Sequence, residues 1–153
     1  MPNRFDFRRT ADWAAAEEHL FEESGVGFAA DIGADDLLVA GTSFGRGHAH
    51  YHLQAIKALQ RRGVAAVFAA SFNATFQRTA INEGFPAWTY GAVLAELVEN
   101  GDELRVDLRT GAVENLGTGE ARQLAPVAEV VLDILEAGGL EASTLARLAS
   151  RKG

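Results

Sequence analysis

Apolar and polar positions alternate in blocks through the first half of the chain, and these blocks predict a strand, a helix and a second strand. A short apolar run, Leu37 to Ala40, leads through a glycine-rich segment to a stretch with apolar positions at helical spacing. Those positions are Leu53, Ala55, Ile56 and Leu59. Val64 to Ala70 is continuously apolar, which is typical of a strand covered on both faces. Two strands joined through a helix predict a right-handed parallel crossover.

The pattern after this crossover predicts two further helices. Ser71 is placed to cap a helix from Phe72 to Glu83, and Gly84 ends it. The stretch from Phe85 to Tyr90 is predicted to be extended. Ala92 to Val98 is apolar enough to form another helix.

In the last third of the chain the period changes from helical to alternating. Leu104, Val106 and Leu108 alternate with charged residues, and a turn at Thr110 and Gly111 follows, so we expect a β-hairpin with one solvated face.

Helices are predicted at both ends of the chain. Pro126 begins an amphipathic helix that stops at the Gly138 and Gly139 pair. Residues 140–153 are expected to form a short polar helix that frays, and Thr10 to Glu23 has the apolar spacing of an N-terminal helix.

Composition narrows the class of protein. The chain has 153 residues, of which 48% are hydrophobic and 23% charged, which predicts one folded domain over residues 1–153. Its net charge of -7 makes nucleic acid and anionic membranes unfavourable partners. No signal peptide or apolar span is evident, so we expect a cytoplasmic protein. The absence of cysteine excludes disulfides and thiolate-held metal clusters in this chain.

The glycine-rich segment between the first strand and the helix carries the candidate chemistry. Gly41, Gly45 and Gly47 permit backbone conformations that place N–H groups and a helix N-terminus near an anion. Three alternating histidines follow, and an imidazole titrates near neutral pH. The histidines are His48, His50 and His52.

Three blocks of sequence resemble the small subunit of the isopropylmalate dehydratase and aconitase superfamily. The first is LLVAGTSFGRG, which is similar to the family's strand and F-G-x-G turn. The second is GVAAVFAASFNATFQRTAINEGFP, and the third is GDELRVDLRTGAVENLGTG followed by ILEAGGL. The resemblance implies an α/β fold, the swivelling β/β/α domain, with a mixed sheet, a βαβ crossover and a C-terminal β-hairpin plus helix. Residues 1–34 do not match the family's N-terminal pattern and form a divergent segment.

This resemblance also implies an activity and a partner. Members act as small subunits of heteromeric iron-sulfur hydro-lyases in leucine and other branched-chain amino acid biosynthesis. They dehydrate and rehydrate hydroxy-di- or tricarboxylates, and a separate large subunit holds a [4Fe-4S] cluster that activates the substrate hydroxyl. The implied partners are therefore a large aconitase-like subunit and a small carboxylate, and no cofactor is expected on this chain.

The chain departs from the family where the family places its catalytic serine and its carboxylate-binding arginine. His48, Ala49 and His50 stand there instead, so we expect His48 to act as the acid/base group. Arg46 or His50 is expected to bind a substrate carboxylate. The predicted substrate-binding set is Ser43, Gly45, Arg46, Gly47, His50, His52 and Arg78.

Two alternatives remain open from the sequence. The chain could be a non-catalytic binding or regulatory subunit that kept the swivelling fold, since the family's serine and arginine are missing. The H-x-H-x-H run could instead hold a metal ion, because alternate residues of an extended segment face the same way. No carboxylate lies near that run in the sequence, which disfavours the metal site.

Overall fold

The structure of the protein is a computed structural model. Its first half contains a parallel sheet. The residues that the structure describes are Glu17, Leu20, Phe21 and the ranges 30–47, 52–89 and 92–150. Most of the helix predicted over Thr10 to Glu23 lies outside them, as do His48 and His50.

The predicted parallel crossover is confirmed. Strand β1 (Leu37–Ala40) is followed by helix α1 (His52–Arg61) and strand β2 (Ala66–Ala69), and β1 pairs with β2 in parallel. Strand β3 (Ala87–Thr89) pairs in parallel with the other edge of β2. The order β1-β2-β3 places β2 in the middle, which explains its unbroken apolar run.

The two faces of this sheet contribute to two core clusters, because successive side chains of a strand point to opposite faces. Leu38, Val67 and Ala87 lie side by side and belong to one cluster, together with residues of the neighbouring helices. Phe68 faces the other way, into a cluster that includes Leu94 and Val113.

Helix α1 is rotated slightly from the predicted phase. Ile56 and Leu59 are buried as expected, but the burial predicted for Leu53 is wrong, since 39% of that residue is exposed. His52 is buried instead, with 5% of its surface exposed. Its ring contacts Phe76 of the next helix, which fixes the face of α1 that points inward.

Helix α2 (Ala74–Asn82) begins later than the sequence pattern predicted. Asn73 is its N-cap, because the side-chain Oδ1 accepts hydrogen bonds from the backbone N–H groups of Thr75, at 2.9 Å, and Phe76, at 3.2 Å. The prediction that Ser71 caps this helix is therefore wrong.

The second half of the chain contains an antiparallel sheet and short helices. A single helical turn, α3 (Ala92–Ala95), replaces the longer helix predicted to Val98. The predicted hairpin is confirmed as β4 (Leu104–Asp107) and β5 (Ala112–Asn115), and a third strand, β6 (Ala121–Gln123), adds to it. The α/β fold that the resemblance implies, with parallel and antiparallel strands, is confirmed. Within the described residues these strands form two separate three-stranded sheets and not one mixed sheet.

The C-terminal helices are α4 (Glu129–Glu136) and α5 (Leu140–Ser150). The turn between them lies against the end of α2: a Cβ on Gly84 would stand 2.5 Å from the carbonyl carbon of Gly138, and one on Gly139 would stand 2.7 Å from the Asn82 oxygen. The second and third resemblance blocks thus meet through glycines. In the described part of the chain, no helix is long and apolar enough to cross a membrane.

Candidate functional site

The glycine-rich residues 41–47, called the glycine turn below, lie at the carboxyl end of the parallel sheet. They run beside the segment that leaves β2, and Phe44 forms a parallel bridge with Phe72. The Phe44 N–H donates to the Ser71 carbonyl oxygen at 2.9 Å, and the Asn73 N–H donates to the Phe44 carbonyl oxygen at 2.8 Å. The carboxyl edge of a parallel sheet is where ligands bind in open α/β folds.

Ser43 holds a backbone conformation that serine seldom adopts. Its φ is +59°, in the left-handed region, and the residue is exposed. The Ser43 N–H donates to the Ser71 side-chain oxygen at 2.8 Å, across 28 residues of sequence. Ser71 therefore stabilises the glycine turn rather than a helix end, and strain of this kind tends to cluster at functional sites.

Gly45 is required by both its conformation and its surroundings. Its φ is +76°, and a Cβ there would lie 2.3 Å from Cγ of Phe76. Because Phe76 is 2% exposed and belongs to the core of α2, its ring cannot move aside without disturbing that core. The position of the glycine turn is thus determined by its contact with α2, a helix that lies much later in the sequence.

Three aromatic rings, those of Phe44, Phe72 and Phe76, pack together beneath the glycine turn. The Phe44 ring lies edge-on to Phe76, with centroids 5.4 Å apart, and edge-on to Phe72, at 5.8 Å. Phe72 stacks on Phe76 at 6.2 Å. Edge-to-face and offset pairs at these distances are favourable, so the three rings stabilise one another.

Arg46 and Gly47 occupy the outer surface of the glycine turn. Both are exposed, and the Arg46 N–H donates to the Ser43 carbonyl oxygen at 3.2 Å. Arg46 forms no ion pair with any carboxylate of the described residues, whereas Arg61, Arg105, Arg109 and Arg122 each do. No carboxylate of the described residues therefore competes for its guanidinium, which has the N–H donors to bind one.

His52 lies beneath the glycine turn. Its ring is edge-on to Phe76, with centroids 5.5 Å apart and an interplanar angle of 76°. Burial lowers the pKa of His52 below its ordinary 6.5, and the nearby Gly45 backbone partly opposes this effect. Neither ring nitrogen is within hydrogen-bonding geometry of a described partner. His52 is buried and packs on the inner side of the glycine turn. In this conformation its ring does not face solvent, where the predicted contact with substrate would take place.

Arg78 is not brought to the glycine turn. It is exposed on α2 two positions after Phe76, which is about 200° around the helix. Since Phe76 faces the glycine turn, Arg78 faces away from it. Of the predicted site residues, the structure thus gathers Ser43, Gly45, Arg46 and Gly47, with His52 below them, while His48 and His50 lie outside the described residues.

A large groove along the open flank of β1 is a poorer candidate for binding a carboxylate. It reaches the glycine turn only at Gly41 and Phe44. Its lining carries many acids and no arginine, lysine or histidine among the described residues: Asp31, Asp35, Asp36, Glu99, Asp102 and Glu103. These charges repel an anionic ligand, so the glycine turn is the better candidate for binding one. The described residues also contain no cluster suited to a metal ion.

The supporting residues were missed by sequence reasoning. Ser71, Phe72 and Phe76 shape the glycine turn, although the sequence pattern assigned them only to a helix. Asn73 could have been identified as the cap, because asparagine ranks with serine at that position. The contacts that these residues make with the glycine turn produce no periodic pattern in the sequence, so the pattern could not predict them.

Comparisons with known proteins agree with these features. No family model matches the chain. The small subunit of 3-isopropylmalate dehydratase from Aquifex aeolicus is 38% identical over 146 residues, which is 95% of this chain and 85% of that protein. The methanogen homoaconitase small subunit of Methanothermobacter thermautotrophicus is 36% identical over 92% of this chain and 78% of its own length.

Two further relatives support the same assignment. The 3-isopropylmalate dehydratase small subunit of Pyrobaculum calidifontis is 51% identical over 104 residues, which cover 68% of this chain and 63% of that protein. The crystal structure of a 3-isopropylmalate dehydratase chain from Methanocaldococcus jannaschii superposes with a TM-score of 0.81 at 28% identity, covering 96% of this chain and 86% of that one. With the fold, the turn and the relatives in agreement, the chain belongs to the family of 3-isopropylmalate dehydratase small subunits.

Proposed function

We propose that this chain is the small subunit of a heteromeric hydro-lyase and that its glycine turn covers the substrate held by a separate large aconitase-like subunit. The substrate is a hydroxy-di- or tricarboxylate, and isopropylmalate-like acids are the nearest class. One observation carries the proposal: in a chain of this family, Arg46 stands exposed at the carboxyl end of the sheet, on a turn that packs on Phe76, and its guanidinium pairs with no carboxylate among the described residues.

Different residues of the glycine turn make different contacts with the substrate. Arg46 meets a substrate carboxylate with two parallel N–H donors, which fixes the orientation of a flexible acid. The Ser43 hydroxyl is exposed beside it and can donate to a second oxygen. Gly47 allows the backbone to approach the ligand closely, since it carries no Cβ and a Cβ there would stand in open space, while Gly45 lets the turn pack against Phe76.

The proton transfer is assigned to the histidines that follow the glycine turn. Dehydration removes a proton from one carbon and the hydroxyl from its neighbour, so the reaction needs a base near the carboxylate clamp. His48 is the proposed base because an imidazole changes protonation near neutral pH, and His50 is a second carboxylate-binding candidate. Both residues lie outside the described part of the chain, so these roles rest on the sequence.

The iron-sulfur cluster is proposed to belong to the large subunit. A [4Fe-4S] cluster is held by cysteine thiolates, and this chain has no cysteine. The residues of this chain therefore do not suit the cluster. The cytoplasmic location expected from the sequence stays a prediction.

Reconstitution tests the proposal. The purified chain is mixed with candidate large subunits of the dehydratase and homoaconitase types, and formation of the unsaturated acid is followed by ultraviolet absorbance. We expect turnover with a matching large subunit and none from either chain alone. Failure with every such partner, each carrying an intact cluster, would contradict the proposal.

The His48→Ala variant separates a catalytic from a merely binding subunit. If His48 is the base, kcat falls by about 10²-fold or more in the reconstituted enzyme. An unchanged kcat would instead favour the second reading, a subunit that kept the fold and a binding role.

A further inference from the structure

His52 is a buried polar side chain for which the proposed chemistry has no use. Only 5% of its surface is exposed, and neither Nδ1 nor Nε2 has a hydrogen-bond partner among the described residues. A neutral imidazole always carries one N–H donor and one acceptor. Buried polar groups are nearly always paired in native proteins, so an unpaired donor here needs an explanation.

The surroundings of His52 connect it to the glycine turn. Its ring packs edge-on against Phe76, the same ring that a Cβ at Gly45 would strike at 2.3 Å. The Gly45 backbone lies close enough to His52 to favour its protonated form, yet it falls outside hydrogen-bonding geometry. His52, Phe76 and Gly45 therefore form one packed unit directly below Arg46.

No other described residue supplies a clear partner for the imidazole. The contacting ring of Phe76 and the Gly45 backbone do not titrate, and the nearest charged side chain along the turn is Arg46, which is exposed on its outer surface. The Gly45 backbone favours the protonated imidazole, as a nearby carbonyl oxygen does, so a small shift of the turn would bring this oxygen within hydrogen-bonding geometry. Such a shift would move Arg46, because the two residues are adjacent.

We infer that His52 is a positioning residue: when a substrate carboxylate binds to the glycine turn, the imidazole N–H donates to the Gly45 carbonyl oxygen, and this hydrogen bond fixes the placement of Arg46. The inference rests on the proposed function for its ligand. It assigns His52 no contact with the substrate, in agreement with its burial.

Variants of His52 in the reconstituted enzyme test the inference. His52→Leu removes both nitrogens while keeping an apolar side chain of similar size. His52→Asn and His52→Gln place an amide N–H near the positions of Nδ1 and Nε2. Gln54→Leu is the matched control, since Gln54 is also buried on α1, at 9% exposure, with an unpaired Oε1, but it lies about 200° around the helix.

Loss of one hydrogen bond that forms with substrate predicts a fall in kcat/KM of roughly tenfold for His52→Leu, mostly through a higher KM. At least one amide variant should recover to within about threefold of the wild type, and Gln54→Leu should stay within about twofold. Turnover by His52→Leu equal to the wild type, an equal loss in Gln54→Leu, or no recovery by either amide would overturn the inference.

Amide hydrogen exchange gives a readout that does not depend on activity. In the reconstituted enzyme with the hydroxy acid bound, the N–H group of Arg46 should exchange about tenfold faster in His52→Leu than in the wild type, with exchange slowed again in an amide variant. In the isolated chain, where the His52 hydrogen bond is open, the same N–H group should exchange alike in all variants. Unchanged exchange in every variant with the acid bound would overturn the inference even if the wild type turns over. Absence of turnover by the wild type with normal exchange effects would count against the proposed function alone.

Discussion

Two turns of this molecule are shaped in opposite ways. The hairpin turn at residues 107–110 is shaped by its own first residue: the Asp107 carboxylate accepts from the Arg109 N–H at 2.8 Å and from the Thr110 hydroxyl at 2.7 Å. The glycine turn is held by residues far along the chain, through the Ser71 hydroxyl and the Phe76 ring. A turn that serves a hairpin can be built locally, whereas the turn that carries the candidate site depends on α2 and on the segment that precedes it.

This difference has a consequence for function. A change where α2 packs against the glycine turn should move Arg46. A change at the hairpin turn should lower the stability of the chain without affecting substrate binding. Substitutions in the two turns should therefore differ in how much stability they cost and in the pH range over which they act. They should also differ in whether they change substrate binding.

The largest effect is expected from Gly45→Ala. A Cβ there meets the buried Phe76 ring and sits at positive φ, so overpacking and backbone strain together should destabilise the chain by about 3 kcal/mol. Urea unfolding followed by circular dichroism measures the loss. Gly101→Ala is the control, since Gly101 has a φ of +93° but nothing within 4 Å, and it should lose only about 1 kcal/mol. Equal losses in the two variants would show that Phe76 does not hold the turn.

A smaller loss is expected from Ser71→Ala. The Ser43 N–H loses its acceptor and becomes solvated, which should cost about 1 kcal/mol of unfolding free energy. KM of the reconstituted enzyme should rise as well, because the strained turn relaxes. Asp107→Ala should lower stability without altering KM. A KM that rises in Asp107→Ala but not in Ser71→Ala would reverse the comparison.

The two turns should also respond to pH in different ranges. The folded pKa of His52 is lowered by burial from 6.5, so the unfolded chain takes up a proton first, and stability falls as pH drops below about 6.5 until the folded form is protonated too. The folded pKa of Asp107 is lowered from 3.8, chiefly by the Thr110 hydroxyl, so its contribution is present above that value and is lost as pH falls through the folded pKa.

Thermal unfolding from pH 3 to pH 8 measures both effects. His52→Gln should remove part of the decline that begins near pH 6.5, and Asp107→Asn should remove part of the decline at the acid end. A His52→Gln profile parallel to that of the wild type through pH 5 to 7 would mean that His52 is as easily protonated in the folded chain as in the unfolded one.

The smallest effect is expected from Ser43→Asn. Asparagine tolerates positive φ better than serine, so the variant should gain a few tenths of a kcal/mol in stability while keeping the Ser71 hydrogen bond. A small rise in the thermal midpoint checks this. A clear loss of stability would mean that the serine hydroxyl has a structural role beyond the backbone conformation.

Much of the fold could be predicted because its causes are local. The continuous run of β2 and the alternation along β4 gave the correct strand types, since burial on two faces or one leaves a direct trace in the sequence. The strand β6 was missed because it is short and carries Ala121, Arg122 and Gln123, none of them a strong strand former.

The candidate site was predictable only in part. Its location followed from the glycines and the preceding strand, and these are local features. Its support did not follow, because the contacts of Ser71 with Ser43 and of Phe76 with Gly45 join segments about thirty residues apart without any periodic pattern. The same limit applies to Arg78, because its position about 200° around α2 from Phe76 depends on which face of the helix packs inward.

The placement of the two candidate arginines tests the central claim most directly. Arg46→Ala and Arg78→Ala are compared in the reconstituted enzyme through kcat/KM for the hydroxy acid. If the glycine turn binds the substrate carboxylate, Arg46→Ala should lower kcat/KM by about 10²-fold and Arg78→Ala should leave it within about twofold. A large loss in Arg78→Ala with little change in Arg46→Ala would contradict the account.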